Sequence, residues 1–255
     1  MNIPNIIWQT GKNYIDKLPY PYNINILTWQ RLNPDHQYNY SDDMKAGREI
    51  EQFDSELYEL YELLWDCFRG DLWRYVMLYQ YGGIYADLDS VALLPFEASK
   101  IFNYENSTEM LTPIKEFSGI YNNCLEFDCN ECDEFCKIFN VNVYGKEYYA
   151  ANALFACVPS SIPLKYILDE VKLRYRTFKD LHKNQWNSIK NGDMHRMVMA
   201  TVDCSVWDKS VSLYDNIISK SFIYGIHAPT DEKMTYFKTN FVPYKAYIGN
   251  IVEIK

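Results

Sequence analysis

No window of the sequence approaches the roughly 18 consecutive apolar residues that a membrane-spanning helix requires. The opening residues, MNIPNIIWQTGKNY, lack a basic start followed by a long apolar stretch, so no secretory signal is read there. Taken as complete, the chain is expected to be soluble and cytoplasmic, in a host cytoplasm if its source is viral. Positive charge is scarce too. Lys and Arg number 25 against 34 Asp and Glu, a formal charge of −9, which argues against a general nucleic-acid surface. Internal repeats, low-complexity tracts and a convincing linker are also missing. A chain of 255 residues that is 48% hydrophobic is therefore expected to form one domain with one sizeable core.

Cysteine gives no framework. Seven is an odd number, and a chain of this size needs no disulfide staples. Cys124, Cys129, Cys132 and Cys136 cluster in CLEFDCNECDEFC, but their spacing matches no structural zinc pattern, and ordinary thiols are the preferred reading. Aromatic residues are plentiful at 16%, alongside abundant Asn, Ile and Lys. That is the mark of an AT-rich coding source, such as a bacterium or a large virus, and does not by itself describe a binding surface.

What is present is an alternation of strand and helix patterns. IPNIIWQTG reads as a first buried strand with Trp8, Gln9 and Thr10 near its carboxyl end. INILTWQRLN reads as a helix stopped before Pro34, and HQYNYSDD as a second strand. DSELYELYELLWDCF spaces Leu57, Leu60, Tyr61 and Leu64 on one helical face, with Asp54 and Ser55 as N-cap candidates. Gly70 is read as a separator before a second helix, DLWRYVMLYQY, which Gly82 and Gly83 end. IYADLDSVALL follows as a strand. ANALFACVP reads as a strand or the start of a helix, IPLKYILDEVKLRYRTF as an amphipathic helix, HRMVMATV and FIYGIHAP as short apolar segments, and AYIGNIVEI as a last strand. The order points to an α/β fold with a mainly parallel sheet and flanking helices.

Ligands of such sheets collect at the carboxyl ends of the strands, where Asp87 and Asp89 are expected. Residues i and i+2 of a strand share a side, so the two carboxylates would make a hard, oxygen-rich site for Mg²⁺ or Mn²⁺. An EF-hand loop would continue with further polar ligands and a glycine, whereas DLDSVALLPFE turns apolar at once. A solvated turn is the ordinary reading of Asp-x-Asp, but this pair follows a buried GGIY. By the same plain reading Arg74 pairs with Asp71 on a solvated helix face, Tyr85 and Trp8 are core residues, and His227 is structural. No nucleophile–histidine constellation is visible.

Three stretches, IPNIIWQTGK, WQRLNPDHQYNYSDD and GDLWRYVMLYQYGGIYADLDSV, together resemble the Asp-x-Asp sugar-binding region of family 32 glycosyltransferases. That family is related to the yeast-type initiating mannosyltransferase and the large clostridial toxin glucosyltransferases. The resemblance covers residues 3 to about 94, with NALFACVPSSIPL similar to a later family segment. Gly70 stands in place of a family Ser, Trp8 where a His is common, and the later Thr-Gly-Pro element corresponds to ATVDCS.

The resemblance implies a GT-A type Rossmann-like domain, residues 1–94 binding a nucleotide-sugar donor and 95–255 forming the acceptor side. It further implies a divalent metal, Mn²⁺ or Mg²⁺, and retention of anomeric configuration. Carried over by position, Asp71 and Arg74 hold the donor sugar, Tyr85 lines the nucleotide, and Asp87 contacts ribose or the metal's water shell. Asp89 ligates the metal directly, Trp8 packs on the base with Gln9 and Thr10 beside it, Asn152 contacts sugar, and His227 is a late metal ligand with Asp231 or Glu232 as substitutes. UDP-sugars are the favoured donors and GDP-mannose the second, with a glycan or other hydroxyl as acceptor. A retaining enzyme needs no base, because the leaving diphosphate can take the acceptor's proton; an inverting one would need an acid such as Glu147, Asp193 or Asp203. Two rival readings remain open, a catalytically degenerate sugar- or nucleotide-binding protein and a metal-dependent phosphohydrolase.

Overall fold

The computed structural model describes residues 3–64, 66–92, 95–96, 110–111, 114–116, 148–150, 154–181 and 237–239. The cysteine cluster, Glu147, Asn152, Asp193, Asp203, His227, Asp231, Glu232 and the segments HRMVMATV, FIYGIHAP and AYIGNIVEI lie outside the described residues.

Strand β1 (Ile6–Gly11) is flanked by β2 (Gln37–Asp42) on one side and β3 (Gly83–Ala86) on the other, both parallel to it. Strand β8 (Leu154–Cys157) runs antiparallel to β3, and the two-residue β5 (Met110–Leu111) antiparallel to β8, so the order is β2-β1-β3-β8-β5. All strands but β8 run one way, which makes the sheet mainly parallel, as expected from the sequence. Short ribbons stand apart from it. The β4 strand (Ser90–Ala92) pairs with β9 (Phe237–Thr239), and β6 (Ile114–Glu116) with β7 (Tyr148–Ala150).

Alternation along the central strands feeds two cores. Ile7, Ile84, Ala86, Leu154 and Ala156 point to the face covered by Trp29 of α1 (Tyr22–Leu32). Trp8, Tyr85, Phe155 and Cys157 point to the face covered by α2 (Asp43–Phe53), α3 (Ser55–Leu63), α4 (Asp66–Tyr81) and α5 (Ile162–Leu181). Every residue from Leu72 to Leu78 is buried. A helix closed off on all sides in this way is central, and α4 packs against the sheet, α2 and α5 at once.

Three local expectations are revised. Gly70 lies inside α4 and separates nothing, because the break falls earlier, at Leu64, whose backbone is extended. Helix α2, unforeseen in the sequence, starts on an Asp42 side chain that accepts from Lys45 N. The Asp-x-Asp pair does not continue a strand. Strand β3 ends at Ala86, and Ser90 N closes a turn onto Asp87 O at 3.0 Å, so the carboxylates project from a turn and not from alternate strand positions. Gly82 and Gly83 do end α4, with φ of 65° and 105°.

A candidate donor and metal site at the end of the central strand

The glycine turn sets the site's position. A Cβ on Gly83 would lie 2.6 Å from the Ile6 carbonyl oxygen, so only glycine lets β3 leave α4 and join β1 directly. Helix α4 thereby runs alongside the strand that follows it, bringing Asp71 and Arg74 level with the residues just past β3.

Arg74 is the centre of the arrangement. Its Nη2 donates to Asp71 Oδ1 at 3.0 Å and Asp87 Oδ1 at 3.1 Å, and its Nε to the Gly70 carbonyl at 3.2 Å. The guanidinium carbon stands 4.3 Å above the Tyr85 ring, a cation–π contact. Tyr85 in turn donates its hydroxyl to Asp87 Oδ1 at 2.6 Å. Arg74 is therefore no solvated helix residue. It is 6% exposed and joins α4 to the turn after β3. Burial opposes its charge, but Asp87, Tyr85 and Asp71 outweigh burial and hold its pKa well above the ordinary value. Burial likewise pushes the Tyr85 phenol well up, against the pull of Arg74, so it keeps the proton it donates.

The other expected residues divide by face. Thr10 lies on the Arg74 side: a Cβ on Gly70 would meet Thr10 Cγ2 at 3.5 Å and Arg74 Nη2 at 3.7 Å. Its hydroxyl donates to Ser41 O at 2.7 Å. Gln9 is fully buried beneath the turn and donates to the Asp87 carbonyl. Trp8 is in the core rather than at a stacking surface. It is 7% exposed, donates Nε1–H to Gly82 O at 2.9 Å, and packs its ring on Tyr81 and against Trp73. Tyr85 is 2% exposed, and this geometry has it holding Asp87 rather than facing a nucleotide. Sequence reasoning missed Asn25 and Ser90, which bond the turn's backbone. Their signal is faint, since an amide on a helix and a Ser after Asp-x-Asp are both commonplace.

Asp71 and Asp87 both bond the one Arg74 guanidinium, and Asp89 follows two residues on in the same turn. Among the described residues no three His, Cys, Asp or Glu side chains gather into a metal cluster. A pair of carboxylates fits an ion that completes its shell with water and phosphate oxygens, the habit of Mg²⁺ and Mn²⁺ at diphosphate sites. No helix among the described residues is long and apolar enough to cross a membrane.

Residues 21–109 match the model of a family described as "Glycosyltransferase sugar-binding region containing DXD motif". Over 123 residues the chain is 31% identical to the initiation-specific alpha-1,6-mannosyltransferase of Candida albicans. That alignment takes in 46% of this chain and 31% of the relative, so the chain spans about a third of the relative's length. Among solved structures, the PaToxG glycosyltransferase superposes with a TM-score of 0.49 at 13% identity, over 84% of this chain and 70% of that one. The ligand-free glycosyltransferase domain from the YGT toxin gives 0.48 at 10% identity, over 85% and 80%.

Proposed function

We propose that this chain, whose residues 21–109 match the model of a DXD-containing glycosyltransferase sugar-binding region, is a single GT-A type domain that moves a sugar from a nucleotide-diphosphate donor to a hydroxyl acceptor. The carrying observation is the Asp71–Arg74–Asp87–Tyr85 network at the carboxyl end of β3, in which Arg74 and Tyr85 are buried and Asp87 is partly exposed. A sugar diphosphate brings two needs, hydrogen-bond acceptors for the sugar hydroxyls and positive charge for the departing phosphates. The network and the turn offer the first directly. Asp89, with Asp87 through water or directly, would hold Mn²⁺ or Mg²⁺, and the late His227 is proposed as a further ligand. Bound there, the ion supplies Lewis-acid neutralisation of the leaving diphosphate.

In this reading Asp71 and Arg74 orient the donor sugar, and Arg74 adds fixed positive charge where negative charge develops. Tyr85 orients Asp87, Thr10 lines the wall, and Asn152 contacts sugar. A burial of 7% turns Trp8 into support for the strand rather than the base platform. Retention of configuration is part of this proposal on the strength of the family resemblance; the leaving diphosphate then takes the acceptor's proton, and the chain's task is to hold two sugars on one side of it. A UDP-sugar is the preferred donor. GDP-mannose is second, supported by the name of the Candida relative.

The test is a thermal-shift panel of UDP, GDP and their sugars with Mn²⁺ or EDTA, on the wild type and Asp89→Asn. One nucleotide at about 100 times its Kd should raise Tm by about 5–10 °C with Mn²⁺ only, and should lose the effect in the variant. Early-time proton NMR of the transfer product then reports the anomer. Absence of any nucleotide-dependent shift would overturn the reading.

A further inference from the structure

The turn that bears the two aspartates is held from beneath by side-chain amides. Gln9 of β1 is 0% exposed and Asn25 of α1 is 1% exposed. Gln9 Nε2 donates to the carbonyl of Asp87 at 3.1 Å, and Asn25 Nδ2 to the carbonyl of Leu88 at 3.2 Å. Two consecutive peptide planes, those that lie between the carboxylates, are thus each gripped by an amide from a different element. Tyr38 of β2 donates its hydroxyl to Gln9 Oε1 at 2.8 Å. The Asp87 carbonyl settles which way the amide faces, because a reversed Gln9 would set two carbonyl oxygens against each other there.

The same carbonyl is held from the far side. Ser90 bonds Asp87 O through its N–H at 3.0 Å and its hydroxyl at 2.5 Å. Trp29 Nε1 then holds Ser90, at 3.2 Å to its carbonyl and 3.1 Å to its hydroxyl. The plane between residues 87 and 88 governs the Asp87 ψ, and the next plane governs the Asp89 φ. Fixing both fixes where the two carboxylates point.

We infer that Gln9 and Asn25 are positioning residues, which set the directions of Asp87 and Asp89 by clamping the peptide planes between them and do not themselves touch the donor. The inference rests on the reading that the turn holds a metal against a diphosphate. A merely structural role predicts something different. With Gln9 replaced by Met, similar in length, Asp87 O keeps both Ser90 bonds, so the fold should hold while the turn loosens.

The experiment compares wild type, Gln9→Met and Asn25→Leu in three measurements: Mn²⁺ affinity with UDP or GDP by electron paramagnetic resonance, Tm, and hydrogen exchange over residues 86–92. We expect each variant to bind Mn²⁺ about tenfold more weakly, the scale of an outer-shell loss. Tm should stay within a few degrees and exchange over 86–92 should quicken, with β1 unchanged. Affinity and exchange equal to wild type would overturn the inference. A wild type that binds no Mn²⁺ with either nucleotide would sink the glycosyltransfer reading alone, since exchange over 86–92 would still decide the clamp. A misfolded Gln9→Met leaves Asn25→Leu to decide, by quickened or unchanged exchange.

Discussion

Without the Arg74 guanidinium, Asp71 and Asp87, which its Nη2 now bridges at 3.0 and 3.1 Å, would face each other in a largely buried space. Removing one member of a buried ionic group leaves uncompensated charge, and Arg74→Ala should cost about 3–5 kcal/mol of unfolding free energy at pH 7. Arg74→Lys keeps the charge but cannot serve two carboxylates and the Gly70 carbonyl together, so it should recover stability in part. Urea titrations at pH 7 decide; a deficit below about 1 kcal/mol would mean the carboxylates do not depend on the cation. These residues were legible from the sequence because Asp71, Arg74, Asp87 and Asp89 fall in one motif. The tasks of Gln9, Asn25 and Tyr38 were not. They rest on bonds to residues 78, 63 and 29 positions away, which no local pattern announces.

Gly70 inside α4 and Gly82 just past its end look alike in the sequence and should respond oppositely to alanine. At Gly82, φ is 65° and a Cβ would lie 2.7 Å from Pro159 Cδ and 2.9 Å from Cys157 O, so Gly82→Ala should lower Tm by several degrees. At Gly70 the nearest atoms to a Cβ, at 3.5 and 3.7 Å, are at ordinary contact distance within a helix. Gly70→Ala should therefore stabilise by about 0.5–1 kcal/mol. Parallel melts of the two variants check both signs, and a destabilised Gly70→Ala would show that the wall beside Thr10 is tighter than it looks. The Gly70 break was misread because glycine usually punctuates a helix, whereas the burial from Leu72 to Leu78 holds this one together. Helix α2 escaped because Ile50 is the one large apolar side chain among the residues it buries, Ala46 and Gly47 being small. Helices α3 and α5 were legible for the opposite reason: each has a full apolar stripe, and Asp54 caps α3 as expected, accepting from Glu56 N and Leu57 N at 2.9 and 3.1 Å.

Across the molecule, α3 is fastened to α5 by charge. Asp54 takes a hydrogen bond from Lys172, and Glu56 takes two from Arg176, at 2.8 and 2.6 Å. The Arg176 bond chiefly draws the Glu56 pKa down; Asp54 is raised by burial but brought below its ordinary value by Lys172 and the capped N–H groups. Both folded pKa values are depressed, so this stabilisation is present above about pH 4–5 and fades as pH falls through the folded values. The urea midpoint should drop between pH 6 and pH 3 by more in the wild type than in Asp54→Asn/Glu56→Gln, which should already be weaker at pH 6. Equal slopes would assign the acid sensitivity elsewhere. The clasp matters because α5 directly follows β8, whose four residues cover the open edge of β3. That edge waits for its partner. Between Ala86 and Leu154 the ribosome must add roughly 70 residues, about 3–14 s of synthesis at ordinary speeds, before the central strand can be closed. Throughout that interval the nascent chain exposes the backbone of GIYA, next to the residues proposed to hold the donor, as an invitation to pair with a neighbour. Shielding of this edge during translation is therefore expected to raise the yield of active protein from a heavily loaded polysome.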